Sequence, residues 1–74
     1  EEVAERVAAL SQRERQVLEL LVAGQANKMI AYDLGISPRT VEVYRANVMT
    51  KMKAQSLSEL VRMALLAGIA PSTT

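Results

Sequence analysis

Apolar residues recur along this chain at spacings of three and four, and polar capping residues divide them into short helices. Val17, Leu18, Leu21 and Val22 form one stripe, opened by Ser11 and Glu14 at capping-box spacing and closed at Gly24. Asn27 is expected to cap a second, short helix ending near Leu34, with Gly35 free to turn left-handed beyond it. Ser37-Pro38 opens a third, since serine accepts from exposed amides and proline sets φ for the first helical position. Ser56 with Glu59 predicts a second capping box and a helix running to Gly68. Residues 2–9 add a helical turn or two before Leu10, and Pro71 with Ser-Thr-Thr reads as a loose tail. No stretch alternates in polarity as a strand would. The pattern predicts an all-α fold, a compact four-helix bundle containing a helix-turn-helix.

The third helix has two unlike faces. On a wheel of about 100° per residue, Val48 and Met52 fall about 20° to either side of Val41, with Met49 and Tyr44 on the shoulders. That stripe is the expected core face. The opposite arc carries Arg39, Glu42, Val43, Ala46, Asn47, Thr50 and Lys53. Small residues there permit close approach, and longer ones reach base edges or phosphates, as a helix laid in the major groove requires. On the last helix, Leu57, Leu60, Val61 and Ala64 cluster as expected core. Ser58, Arg62, Leu65 and Leu66 form an outer arc too apolar for plain solvent. This arc is expected to make a small isologous contact between two copies. A few leucines per side bury well under the ~1,200 Å² of a stable complex, so a monomer that dimerises on DNA is expected.

Length and charge sharpen the picture. Seventy-four residues make one domain with a small core: a linker or short helix over 1–9, the helix-turn-helix over 27–53, a dimerisation helix over 56–67 and a tail over 69–74. Half the residues are hydrophobic and 23% are charged, which favours a globular chain over a disordered one. No apolar run approaches the ~18 residues that span a bilayer, and no secretory leader is visible, so no membrane partner and a cytoplasmic location are expected. There is no cysteine. The chain begins Glu-Glu, which suggests a piece of a longer protein. The net charge of +1 is unevenly spread. Residues 1–27 carry three cations against five anions, whereas residues 28–53 carry five cations against two anions. The excess of basic charge therefore lies on the segment suspected of meeting phosphate.

Each outward residue of the third helix has a candidate role beside a plainer one. Glu42 suits cytosine N4, or an ion pair with Arg39 or Arg45 on the helix surface. Val43 suits a thymine methyl, or is one of the scattered surface valines that soluble proteins tolerate. Arg39 and Arg45 read as phosphate clamps with guanine O6 and N7 also in range, and Asn47 suits adenine or a phosphate. Thr40, Thr50, Lys51 and Lys53 are expected on the DNA backbone, with Tyr44 half-buried and its hydroxyl directed at a phosphate. Asn27 and Lys28 stand at the positive end of the preceding helix, where exposed amides favour an anion. Ala31 is expected to be small because two helices cross beside it.

These residues make up an extended pattern. Ser11-x-Arg13-Glu14-x-x-Val17-Leu18, Gly24, Asn27-Lys28-x-Ile30-Ala31, Ile36-Ser37-x-x-Thr40-Val41 and Lys51-Met52 together resemble the LuxR-type helix-turn-helix domain. The resemblance covers about residues 8–68. Within that family, SPRTVEVYRANVMTKMKAQS with NK-x-IAYDL upstream looks most like the C-terminal activator domain of FixJ-type response regulators. The resemblance implies a bundle of four helices that binds double-stranded DNA as a homodimer, with the third helix in the major groove and the fourth at the dimer contact. It implies a receiver domain upstream, phosphorylated by a sensor kinase, and RNA polymerase as a further partner. It also implies control of nitrogen-fixation or low-oxygen genes. In relatives the base-reading positions match Glu42, Val43 and Ala46. Several members carry lysine at the first and last of these, so this chain differs from them where the half-site is read.

Other classes fit less well. The chain has no histidine or cysteine, no carboxylate pair suited to one cleft and no glycine-rich loop, so an enzyme is not expected and no cofactor or metal is implied. The promoter-reading region four of a sigma factor shares the Leu10-Ser11-x-Arg13-Glu14-Arg15 start and the Ile36-Ser37-x-x-Thr40-Val41 turn, but the capped helix after Lys53 favours the LuxR type. A helical protein-interaction module with a basic face is the remaining alternative, and the salt dependence of duplex binding separates it from the others.

Overall fold

A computed structural model describes residues 2–70, and all its regular structure is helical. The helices are α1 (Val3–Ala8), α2 (Gln12–Val22), α3 (Asn27–Leu34), α4 (Pro38–Met52) and α5 (Leu57–Leu66). The expected tail at Pro71 lies outside the described residues. The segment before Leu10 becomes a helix of its own, so the expected four are joined by α1.

Most helix ends follow from sequence chemistry. Ser11 Oγ accepts from the Glu14 amide at 3.1 Å while Glu14 Oε1 accepts from the Ser11 amide at 2.9 Å, closing a reciprocal box. Ser37 Oγ accepts from the Thr40 amide at 3.1 Å, and Pro38 opens α4. Two ends differ from expectation. Asn27 does not cap α3: Ala26 holds the cap position with extended backbone and no side-chain acceptor, and Asn27 is already the first helical residue. Its amide oxygen is engaged elsewhere, by Arg45. At α5, Ser56 caps as expected, but Glu59 reaches back one residue further, to the Gln55 amide at 2.7 Å, so the box is not reciprocal.

The core forms where α2 packs on α4, α3 and α5. Val17, Leu18, Ile30, Val41, Val48, Met52 and Leu60 are fully buried, and Ala31 is buried at the α3–α4 crossing. Helix α2 buries Val17, Leu18 and Leu21 of the expected stripe and Leu20 besides, because three neighbours surround it, whereas Val22 is only half-buried. Ile69 also joins the core, through a turn at Gly68 (φ 83°) that brings the Ile69 amide to the Ala64 carbonyl at 2.9 Å.

The fifth helix is rotated from the expected orientation. Leu60 and Ala64 are buried, with Met63 and Ala67 packed beside them, whereas Leu57 is exposed and Val61 half-buried. The stripe facing the bundle thus centres on Leu60 and the following Ala64, which leaves Leu57 at its outer edge.

Helix α1 packs against α4 and α5 through buried Val7. Its Arg6 reaches further, donating from Nη1 to the carbonyl oxygen of Met52 at 3.1 Å. A cation therefore meets the negative C-terminal end of α4, where the last carbonyls have no helical partner.

Candidate nucleic-acid interface

The corner between α3 and α4 is three residues long. Gly35 takes the left-handed conformation (φ 69°, ψ 33°), and the next amide, that of Ile36, returns to the Ala31 carbonyl at 3.0 Å. Ser37 then starts α4, so the two helices meet tightly over Ala31. Burial of Val41, Val48 and Met52 on one side turns the opposite arc outward as expected. Arg39, Glu42, Val43, Ala46, Asn47 and Thr50 are all exposed there, and Val43 keeps 53% of its surface accessible. The face contains small, branched, amide and charged residues, and among the described residues Glu42 forms no ion pair with either arginine. The surface pairing open to Glu42 in the sequence is not formed.

The flanks of that face carry structure of their own. Arg45 is half-buried and donates from Nη1 to Asn27 Oδ1 at 3.1 Å, tying α4 to the first turn of α3, with Lys28 exposed beside it. Thr40 is half-buried, its Oγ1 2.9 Å from Ser37 Oγ. Tyr44 is half-buried, as expected. Lys53 is the cap of α4 rather than its last residue, in the left-handed conformation (φ 57°).

Lys51 differs from expectation. Its Nζ lies 2.8 Å from Glu14 Oε1 and 3.4 Å from the Ala9 carbonyl oxygen. The ammonium is turned towards the start of α2, where a buried carboxylate draws it, and not towards the outer arc. The Lys51 hydrogen bond, reinforced by the Ser11 amide, holds the Glu14 carboxyl below the ordinary carboxylate range, although burial acts in the opposite sense.

On α5, Ser58, Arg62, Leu65 and Leu66 are exposed, with 53% of Leu65 and 79% of Leu66 accessible. Exposed Leu57 extends this apolar face towards the start of the helix.

One further feature lies beside α4. An open cleft of about 430 Å³ is lined by Ser11, Gln12, Arg13 and Gln16 of the α2 end and by Tyr44. Sequence reasoning singled out Tyr44 here but missed Gln12, Arg13 and Gln16, because contact between α2 and α4 is a tertiary relation that no local spacing encodes.

Comparison with known proteins agrees with this geometry. Residues 8–64 match the family described as bacterial regulatory proteins, luxR family. The chain is 83% identical over 71 residues to the transcriptional regulatory protein FixJ of Azorhizobium caulinodans, covering 96% of this chain and 34% of the relative. Among solved structures, the C-terminal transcriptional activator domain of FixJ from Sinorhizobium meliloti is 67% identical, with a TM-score of 0.82 over 95% of this chain and 89% of that one. Full-length FixJ from B. japonicum is 70% identical with a TM-score of 0.81, over 89% of this chain and 32% of that one. The chain spans about a third of the length of the curated relative it matches.

Proposed function

The chain belongs to the LuxR family of bacterial regulatory proteins, and from that premise we propose that α4 enters the major groove and reads sequence through Glu42, Val43 and Ala46, with Arg39 and Asn47 at the margins. The observation that carries this is the outward arc of α4, small and polar, opposite a stripe that is completely buried. Lys28, Arg45, Tyr44 and Thr40 beside the arc, with Thr50 and Lys53 towards its C-terminal end, supply backbone contacts. Lys51 joins them only if it leaves Glu14.

The likeness to FixJ proteins supports the rest of the reading. The chain acts as the DNA-binding domain, over about residues 8–68, of a two-component transcriptional activator. It works in the cytoplasm, controlled by a phosphorylated receiver and acting on RNA polymerase, with nitrogen-fixation genes as the regulon. Two copies meet through the exposed face of α5 and occupy a dyad site. The match over residues 8–64 favours this reading over a sigma-factor region four.

Titration of isotope-labelled protein with duplex DNA tests the proposal. Amide shifts are expected to concentrate at residues 39–50; shifts confined to 15–23 would remove the basis for it. If two copies neutralise about eight to ten phosphates, log K should fall with log salt at a slope of about −7 to −9. A slope near zero would favour an acidic protein as the partner.

A further inference from the structure

The two flanks of α4 are unequally explained. On one side Arg45 and Lys28 stand at the start of α3. On the other, Tyr44 faces a cleft formed with Ser11, Gln12, Arg13 and Gln16 of α2. Tyr44 and Arg45 lie about 120° and about 140° from the centre of the outward arc, one to each side. A helix in a major groove ≈ 12 Å wide has a phosphate backbone along each flank. The α3 side provides for one strand; the cleft is the corresponding place for the other.

The chemistry of the cleft fits that occupant. The side chains of Gln12, Arg13, Gln16 and Tyr44 make no hydrogen bond, ion pair or ring contact with another described residue, so four donors open on one space with none committed. No carboxylate lines the cleft. Glu14 is buried and bound to Lys51, and Glu19 is paired with Arg15 at 3.4 Å. The single charge of the lining is therefore the Arg13 guanidinium, and guanidinium, amide and hydroxyl donors are the groups that hold DNA phosphates.

We propose that the cleft between Tyr44 of α4 and the Ser11–Gln16 end of α2 seats a backbone phosphate of the second DNA strand, so that α4 is gripped from both sides of the groove. This rests on the DNA-binding reading above and extends the interface to a helix outside the helix-turn-helix. Arg13 supplies the charge, Tyr44 orients the phosphate, and Gln12 and Gln16 take its remaining lone pairs.

Duplex binding measured across a salt series tests it. Arg13→Gln is expected to weaken binding to all sequences alike, by about tenfold near 0.1 M salt, and to lessen the salt slope by about 0.9 per bound domain. Arg13→Lys should restore the slope, and Tyr44→Phe should cost about threefold in affinity with the slope unchanged. Thermal unfolding should be alike for all three variants and the parent. In duplexes carrying one uncharged methylphosphonate, the parent should be weakened at one flanking position per half-site to which Arg13→Gln is indifferent. If Arg13→Gln keeps the parental slope and the parental response to the methylphosphonates, the cleft holds no phosphate, while DNA binding by α4 stands. If the parent shows no salt-dependent duplex binding, the DNA-binding reading itself falls, and the cleft proposal with it.

Discussion

The ammonium of Lys51, near the end of α4, lies 2.8 Å from the carboxylate of Glu14, in the first turn of α2. Glu14 also closes the capping box on Ser11, so one buried side chain caps the start of α2 and anchors the end of α4. Glu14→Ala is expected to lower unfolding free energy by about 1–2 kcal/mol in chemical denaturation, from the lost cap and a half-exposed ion pair together.

The same carboxylate sets an acid limit. Its pKa is lowered in the folded chain, so its contribution is fully present above the ordinary value of 4.5 and is lost as pH falls through the lower, folded value. Melting temperature measured against pH should therefore decline below about pH 4.5, and Glu14→Gln should flatten that decline. An equally steep acid limb in Glu14→Gln would mean that other carboxylates cause it.

Arg6 gives α1 an energetic role beyond its short length. Because its guanidinium serves the Met52 carbonyl at 3.1 Å, Arg6→Ala should destabilise the chain by about 1–2 kcal/mol and increase hydrogen exchange at residues 52–54 before other parts of α4. Exchange that rises uniformly across the chain would show that the bond has no local effect.

Base reading and backbone contact are separable by selection. Glu42→Ala is expected to change preference at one base pair by about 1–3 kcal/mol in a randomised-site selection, whereas Lys28→Ala weakens binding to all sequences equally. An unchanged selected site in Glu42→Ala would remove this residue from the reading face.

The two faces of α4 were legible in the sequence because a helical period carries them. Val41, Val48 and Met52 recur at seven and four residues, and their burial alone turns Glu42, Val43 and Ala46 outward. The fates of Asn27, Lys51 and Leu57 were not legible in this way. Asn27 has the chemistry of a cap, but a guanidinium eighteen residues away claims its oxygen. Lys51 was assigned by charge, and a buried carboxylate thirty-seven residues away redirects it. Leu57 was assigned by hydropathy, but the rotation of α5 is set by what α1 and α2 leave uncovered. Local periodicity fixes faces; partners distant in sequence fix which polar atoms remain available.

The exposed leucines of α5 bear on assembly. Leu65→Asp should leave half-site affinity unchanged while reducing occupancy of the full dyad, as read by mobility shift with one and two half-sites. Sedimentation of the parent without DNA should give a monomer, since the face is too small for a tight dimer. A tight dimer in the absence of DNA would count against this.

Three chain reversals in this fold use glycine, at Gly24, Gly35 and Gly68, and the one that ends α4 uses Lys53. A side chain in that backbone state costs roughly 1 kcal/mol relative to glycine. Lys53→Gly relieves that strain and, on the backbone contact proposed above, should cling less well to nucleic acid, measurable as a higher dissociation constant. On that contact, the residue that closes α4 bears a backbone cost for the sake of a charge at the edge of the groove-facing helix.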